Sequence, residues 1–124
     1  MKINIVEREG YSNRIVDWKI YVRKDLTVAK ASEYYYEFIE ENSFRPVSEL
    51  VLPEDGELLK EAVATDSPAP LELVTVLSNL KDSTRNVYLR MEQSEQTEDG
   101  IPLYQITLSD LRDLESRAIQ LEQS

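Results

Sequence analysis

Two residue types are missing from this 124-residue chain: it has no cysteine and no histidine. Without cysteine there is no disulfide, no thiolate nucleophile and no sulfur ligand for a metal, a composition that agrees with a reducing compartment. Without histidine the usual general base at neutral pH and the commonest metal ligand are gone. Neither a Ser-His-Asp nor a Cys-His device can be assembled. Lysine, carboxylates and tyrosine remain for acid–base work, but only with strongly displaced pKa values. The expectation is a non-enzyme with no catalytic residues and no metal site.

Other shortages narrow the role. Lysine and arginine number 14 against 24 acidic residues, a formal charge of −10, and Arg23-Lys24 is the only adjacent basic pair. Such a surface repels phosphates, which excludes nucleic acid as an expected partner and disfavours docking to an anionic membrane. No apolar run approaches the ~20 residues that span a bilayer. The start, MKINIVEREG, meets charge at Glu7, too early for a signal-peptide core. A cytoplasmic protein is expected, with one domain that buries roughly two-thirds of its unfolded surface.

What is present has a readable order. Residues 1–17 alternate weakly at Ile3 and Ile5 and are then interrupted by Gly10, Ser12 and Asn13; an N-terminal flap or cap, strand or helix, is expected there. WKIYVRKDLTVAKAS predicts a hairpin turning at Lys24-Asp25, although that turn lacks the glycine of a tight two-residue loop. SEYYYEFIEEN changes to helical spacing: Ser32 is a candidate cap, and Tyr35, Phe38, Ile39 and Asn42 share a face. In FRPVSELVLPEDGELLKEAVATD, Pro46 and Pro53 each can open a helical piece. Glu54 and Asp55 then lie at the positive end of the second helix, which accounts for them better than a metal or acid–base pair. Leu58, Leu59, Ala62 and Val63 predict its buried stripe, and Gly56 costs it roughly 1 kcal/mol against alanine.

Beyond the SPAP break, three runs predict strands: 71–79, 86–96 and 103–111. Val87, Leu89 and Met91 alternate with Tyr88, Arg90 and Glu92, and Tyr104, Ile106 and Leu108 with their neighbours, as in an antiparallel sheet buried on one face. Asp99-Gly100 is a strong hairpin signal. In the tail, Leu111, Leu114, Ala118 and Leu121 are spaced three, four, three, the seam of a coiled coil. The pattern is still running at the last residue, which predicts that more chain follows. A helix folded back on the domain is the alternative.

With these stretches in place, the sequence resembles a PAS domain. LTVAKASEYYYEFI is similar to the family's second strand running into its first helix. Leu52-Pro53-Glu54-Asp55 is similar to the apolar-x-Pro-x-Asp segment that opens its long helix. Ser109-Asp110-Leu111-Arg112 falls where the family often carries Asp-Ile-Thr. Two departures stand out: Arg112 replaces the usual threonine, and LKDSTRNV lacks the Asp-Gly turn often found between the third and fourth strands. The implied fold is α+β and PAS-like: a five-stranded antiparallel sheet with short helices on one face and a C-terminal exit helix. Residues 18–110 would be the domain and 111–124 the start of the signalling helix.

The resemblance also implies a role. PAS domains are sensory and dimerisation modules that regulate fused effectors such as diguanylate cyclases or histidine kinases. A homodimer is implied, formed through Leu111, Leu114, Ala118 and Leu121, within a larger bacterial-type signalling protein. A ligand-free acidic interaction adaptor is the alternative. Cysteine-linked flavin, a thioester-linked chromophore and histidine-ligated haem are excluded for want of the residues, which leaves a non-covalent flavin, an unknown small metabolite or a packed core. The pocket lining implied for such a metabolite is Tyr35, Phe38, Ile39, Leu59 and Val63, with Thr75, Tyr88 and Arg90 as polar candidates. The strand alternation, however, points Val87, Leu89 and Met91 inward, and so Tyr88 and Arg90 outward.

Overall fold

A computed structural model describes residues 17–111. Strand β1 (Trp18–Val22) pairs antiparallel with β2 (Val28–Ala31), as their β-branched and aromatic residues predict. The turn is wider than two residues. Leu26 takes φ 70° and is buried, the Arg23 amide donates to the Thr27 carbonyl at 2.9 Å, and the Asp25 carboxylate accepts from the Thr27 amide at 3.0 Å. An Asx-type turn thus replaces the glycine of a tighter loop.

Strands β3 (Leu71–Ser78), β4 (Thr84–Glu98) and β5 (Ile101–Asp110) complete an antiparallel sheet of order β2-β1-β5-β4-β3. β4 is longer than its alternation predicts at both ends. Asp99 and Gly100 join it to β5 with φ 53° and 82°, the two left-handed residues that a hairpin needs. On the inner face stand Ile20 and Val22, Thr75 and Leu77, Val87, Leu89 and Met91, and Tyr104, Ile106 and Leu108, all buried. The outer face carries polar rows: Lys19, Thr107, Arg90 and Glu72 lie in register across four strands, and Tyr21, Gln105 and Glu92 form the next row.

The inner face is covered by α1 (Glu33–Ile39), two 3-10 turns (Glu40–Phe44 and Val47–Glu49) and α2 (Pro53–Thr65). Several local expectations change here. Ser32 occupies the cap position of α1, but its hydroxyl makes no capping bond; it is buried without a partner. Pro46 precedes its 3-10 turn rather than opening it, while Pro53 is the first residue of α2. The α2 stripe is narrower than predicted: Leu59 and Val63 are buried, Ala62 is half-buried, and Leu58 is 44% exposed.

Gly56 has a tertiary reason. A Cβ built there would lie 2.3 Å from the Ser48 carbonyl oxygen, so only glycine lets α2 approach the second 3-10 turn this closely. Two backbone bonds tie this helical side to the sheet side, Val47 N–H to Leu26 O at 2.9 Å and Ser78 N–H to Leu50 O at 2.8 Å, while Gly56 N–H to Leu52 O at 2.8 Å holds the helix start. α2 ends at Asp66, whose φ of 51° is left-handed. The Asp66 carboxylate accepts from the Tyr104 hydroxyl and, at 3.2 Å, from Gln93 Nε2, which fastens the end of α2 to β4 and β5.

The flap expected over residues 1–17 lies outside the described residues except for Asp17. So do Leu114, Ala118 and Leu121 of the exit helix; Leu111 is described, and it is helical. Among the described residues no helix is long and apolar enough to cross a membrane.

Candidate functional site

Five of the eight pocket candidates meet in the space between helices and sheet. Tyr35 and Ile39 enter from α1, Leu59 and Val63 from α2, and Thr75 from β3, and all five are buried. Phe38 packs at the margin of this cluster, its ring centroid 5.7 Å from that of Trp18. Tyr88 and Arg90 are corrections. The pleat sends Val87, Leu89 and Met91 inward, so Tyr88 and Arg90 stand on the outer face. There the Tyr88 hydroxyl donates to the Glu72 carboxylate, which raises the Tyr88 pKa. Arg90 reaches Glu92 at 3.4 Å and Glu72 at 3.9 Å.

The polar groups of the inner cluster are few. The Thr75 hydroxyl accepts from the Leu52 amide at 3.3 Å, which satisfies the backbone just before Pro53. Tyr35 is fully buried and its hydroxyl has no partner. Burial drives its pKa well above the ordinary value, with a smaller contribution from Tyr36. It is therefore a neutral phenol, able to donate one hydrogen bond and unable to act as a base near neutrality. No Asp, Glu, Lys or Arg among the described residues is buried. The cluster thus holds apolar walls, the Thr75 hydroxyl and one hydroxyl without any partner, an arrangement that can orient a neutral ligand but lacks an acid–base pair.

Sequence reasoning missed two buried asparagines as a unit. Asn79 Oδ1 accepts from the amides of Lys81, Asp82 and Ser83 at 2.9, 3.1 and 3.1 Å. Asn42 Nδ2 donates to the Asn79 carbonyl at 2.7 Å, and Arg45 Nε donates to Asn42 Oδ1 at 3.0 Å. The local signal was SNLKDS, a turn-rich stretch between two strand patterns, but nothing local names Asn42 as its partner.

The end of β5 is also anchored. Ser109 Oγ donates to the Asp17 carboxylate at 2.8 Å, and Arg85 Nη1 reaches Asp110 Oδ2 at 3.1 Å. The Arg85 guanidinium lies over the rings of Trp18 and Phe38, at 5.9 and 5.2 Å from their centroids. These contacts hold the sheet firmly up to the residue at which the chain becomes helical.

No protein-family model matches the chain, and no curated protein sequence does. Solved structures are similar in fold. The PAS domain of an HTR-like protein from Haloarcula marismortui superposes with a TM-score of 0.61 at 14% identity, covering 88% of this chain and 94% of that one. The PAS domain of a Desulfitobacterium hafniense protein gives 0.59 at 14% identity, covering 86% and 98%. A domain of an HTR-like protein from Haloarcula marismortui gives 0.53 at 10% identity, covering 76% and 96%. The sheet order, the helical layer on one face and these superpositions agree: the fold is that of a PAS domain.

Proposed function

We propose that the chain is a cytoplasmic sensory and dimerisation module, itself non-catalytic, that regulates a C-terminal effector through its exit helix. The observation that carries this reading is the PAS fold with β5 running directly into a helical Leu111. Arg85 and Ser109 brace that junction, so a displacement of the sheet would be handed on to the helix rather than lost in a loop. The spacing of Leu111, Leu114, Ala118 and Leu121 supports a paired helix as the receiver. An effector such as a diguanylate cyclase or histidine kinase is the kind of domain that this output would drive.

The core reading is a packed one without cofactor. Leu59, Leu77, Leu89 and Ile106 have no exposure, and dense filling is the ordinary state of an interior. The unpartnered Tyr35 hydroxyl supports the rival, a small neutral metabolite, because a buried donor left unpaired is disfavoured by about 1–3 kcal/mol.

Native mass spectrometry of the chain tests both parts. A dimer that the double substitution Leu114→Glu and Leu121→Glu converts to monomer is the expected result. A monomer, or a dimer indifferent to those changes, would replace this reading with the acidic adaptor. An extra small mass lost on denaturation, and absent in Tyr35→Phe, would replace the packed core with a ligand-bound one.

A further inference from the structure

A second concavity lies outside the core, where α1 faces the β3–β4 loop across the start of β1. It is a solvent-open cleft of about 320 Å³. Its aromatic floor is made by Trp18 and Phe38, with Tyr34 at the margin, and its walls are acidic: Glu37 and Glu40 on one side, Asp82 on the other. Asp82 is held in place by Asn79, whose Nδ2 donates to its carboxylate at 3.2 Å, and by the Ser83 hydroxyl, also at 3.2 Å; these bonds lower the Asp82 pKa.

The chain demonstrates the chemistry of this floor with its own side chain. Arg85 lays a guanidinium over both rings while holding Asp110 at 3.1 Å. Aromatic faces attract such a cation electrostatically. Charge then decides what else can enter. Glu40 is paired with Lys81 at 3.4 Å and Arg85 with Asp110. No ion pair among the described residues balances Glu37 or Asp82. An anion would meet the Glu37 and Asp82 carboxylates here, neither of them in an ion pair, on a chain already at −10. Among the described residues no three carboxylates converge closely enough to hold a metal ion, so the complementary cation is organic.

We propose that this cleft binds a small organic cation, with guanidine or primary amine groups on a short apolar body. The cation sits against Trp18 and Phe38 and between Glu37 and Asp82, and Arg85 is its intramolecular competitor. The volume is at the lower end of small-molecule sites, which suits a metabolite and not a peptide segment. The site is separate from the Tyr35 cluster and does not depend on the signalling role proposed above.

Trp18 is the only tryptophan in the chain, so its fluorescence reports the cleft directly. Agmatine titrated into the full chain should change that emission saturably, and the binding should weaken as salt is raised. Glu37→Gln, a change at an exposed residue, should weaken binding about threefold. Arg85→Gln, with circular dichroism confirming the fold, should tighten it at least about fivefold, because it removes both the competitor and a positive charge. The absence of a saturable change overturns the proposal, as does binding of phenylacetate in place of agmatine. So does loss of agmatine binding in folded Arg85→Gln, which would make Arg85 a ligand instead of a rival. If Arg85→Gln does not fold, Glu37→Gln decides: an unchanged affinity rejects the site. A basic peptide that binds where agmatine does not also rejects it, in favour of a docking surface.

Discussion

The sheet and the helical connector of this domain are stabilised by different means. Across β3, β4 and β5, Leu77, Leu89 and Ile106 are fully buried, and the ladder register sets which side chains meet. Stability there comes mainly from apolar volume removed from water. Between Ser32 and Leu52 the chain has one short helix and two 3-10 turns, and beside the buried Tyr35, Ile39, Val47 and Leu50 its order depends on individual polar groups finding particular partners. Asn42 reaches Asn79, Val47 reaches Leu26, and Leu50 receives Ser78. A sheet loses stability in proportion to the volume removed from it. A connector fails where one backbone group loses its partner or its room.

The largest effect should come from the sheet. Leu89→Ala empties a fully buried site in β4 and should lower unfolding free energy by about 3 kcal/mol, measured in urea with an unchanged slope. A loss below about 1 kcal/mol would mean that the sheet collapses around the gap, and the contrast with the connector would weaken.

Gly56→Ala probes the connector side. Helix propensity alone favours alanine by about 1 kcal/mol, yet the new methyl would meet the Ser48 carbonyl at 2.3 Å. We expect a net loss of about 2 kcal/mol. A gain in thermal midpoint would show that α2 can slide off the 3-10 turn freely.

Tyr35→Phe should act in the opposite direction. Removing a buried hydroxyl without a partner should raise stability by about 1 kcal/mol. A loss of that size instead would mean that the hydroxyl has a bound partner in solution, which is the same outcome that a ligand in the core would produce.

The smallest effect near neutrality is alkaline. Burial, reinforced by the bond to Asp66, pushes the Tyr104 pKa up to about 12. The folded state therefore resists ionisation that the unfolded chain undergoes near pH 10. Its contribution is complete below about pH 10 and is lost as pH rises towards 12. Tyr104→Phe should flatten that part of the stability profile; an unchanged slope would locate the alkaline sensitivity elsewhere.

The two regions were also unequally legible. Alternation identified Val87, Leu89 and Met91 as inward and turned Tyr88 and Arg90 outward, because a strand's period of two leaves one face for the core. Asp99-Gly100 marked its own hairpin, since both positions require left-handed backbone. Ser32 misled, because a good capping residue does not cap when its hydroxyl is drawn into the interior. Leu58 misled for a related reason: an apolar residue at helical spacing is buried only if something lies opposite it, and its sector of α2 faces solvent. Of the site residues, Tyr35 was legible from its helical face, but the lack of a partner for its hydroxyl was not.

What the sequence determined by itself was the chemistry available and the local periods. The missing histidine and cysteine removed whole classes of catalysis and ligation, and the alternating and helical patterns named the elements and most of the core. Only the tertiary structure decided which groups meet. The approach of Gly56 to Ser48, the joining of Asn42 to Asn79, and the placing of Trp18, Phe38 and Arg85 around one acidic cleft each bring together residues distant along the chain. Periodicity fixes which way a side chain faces, but the identity of its neighbour follows from how the elements pack.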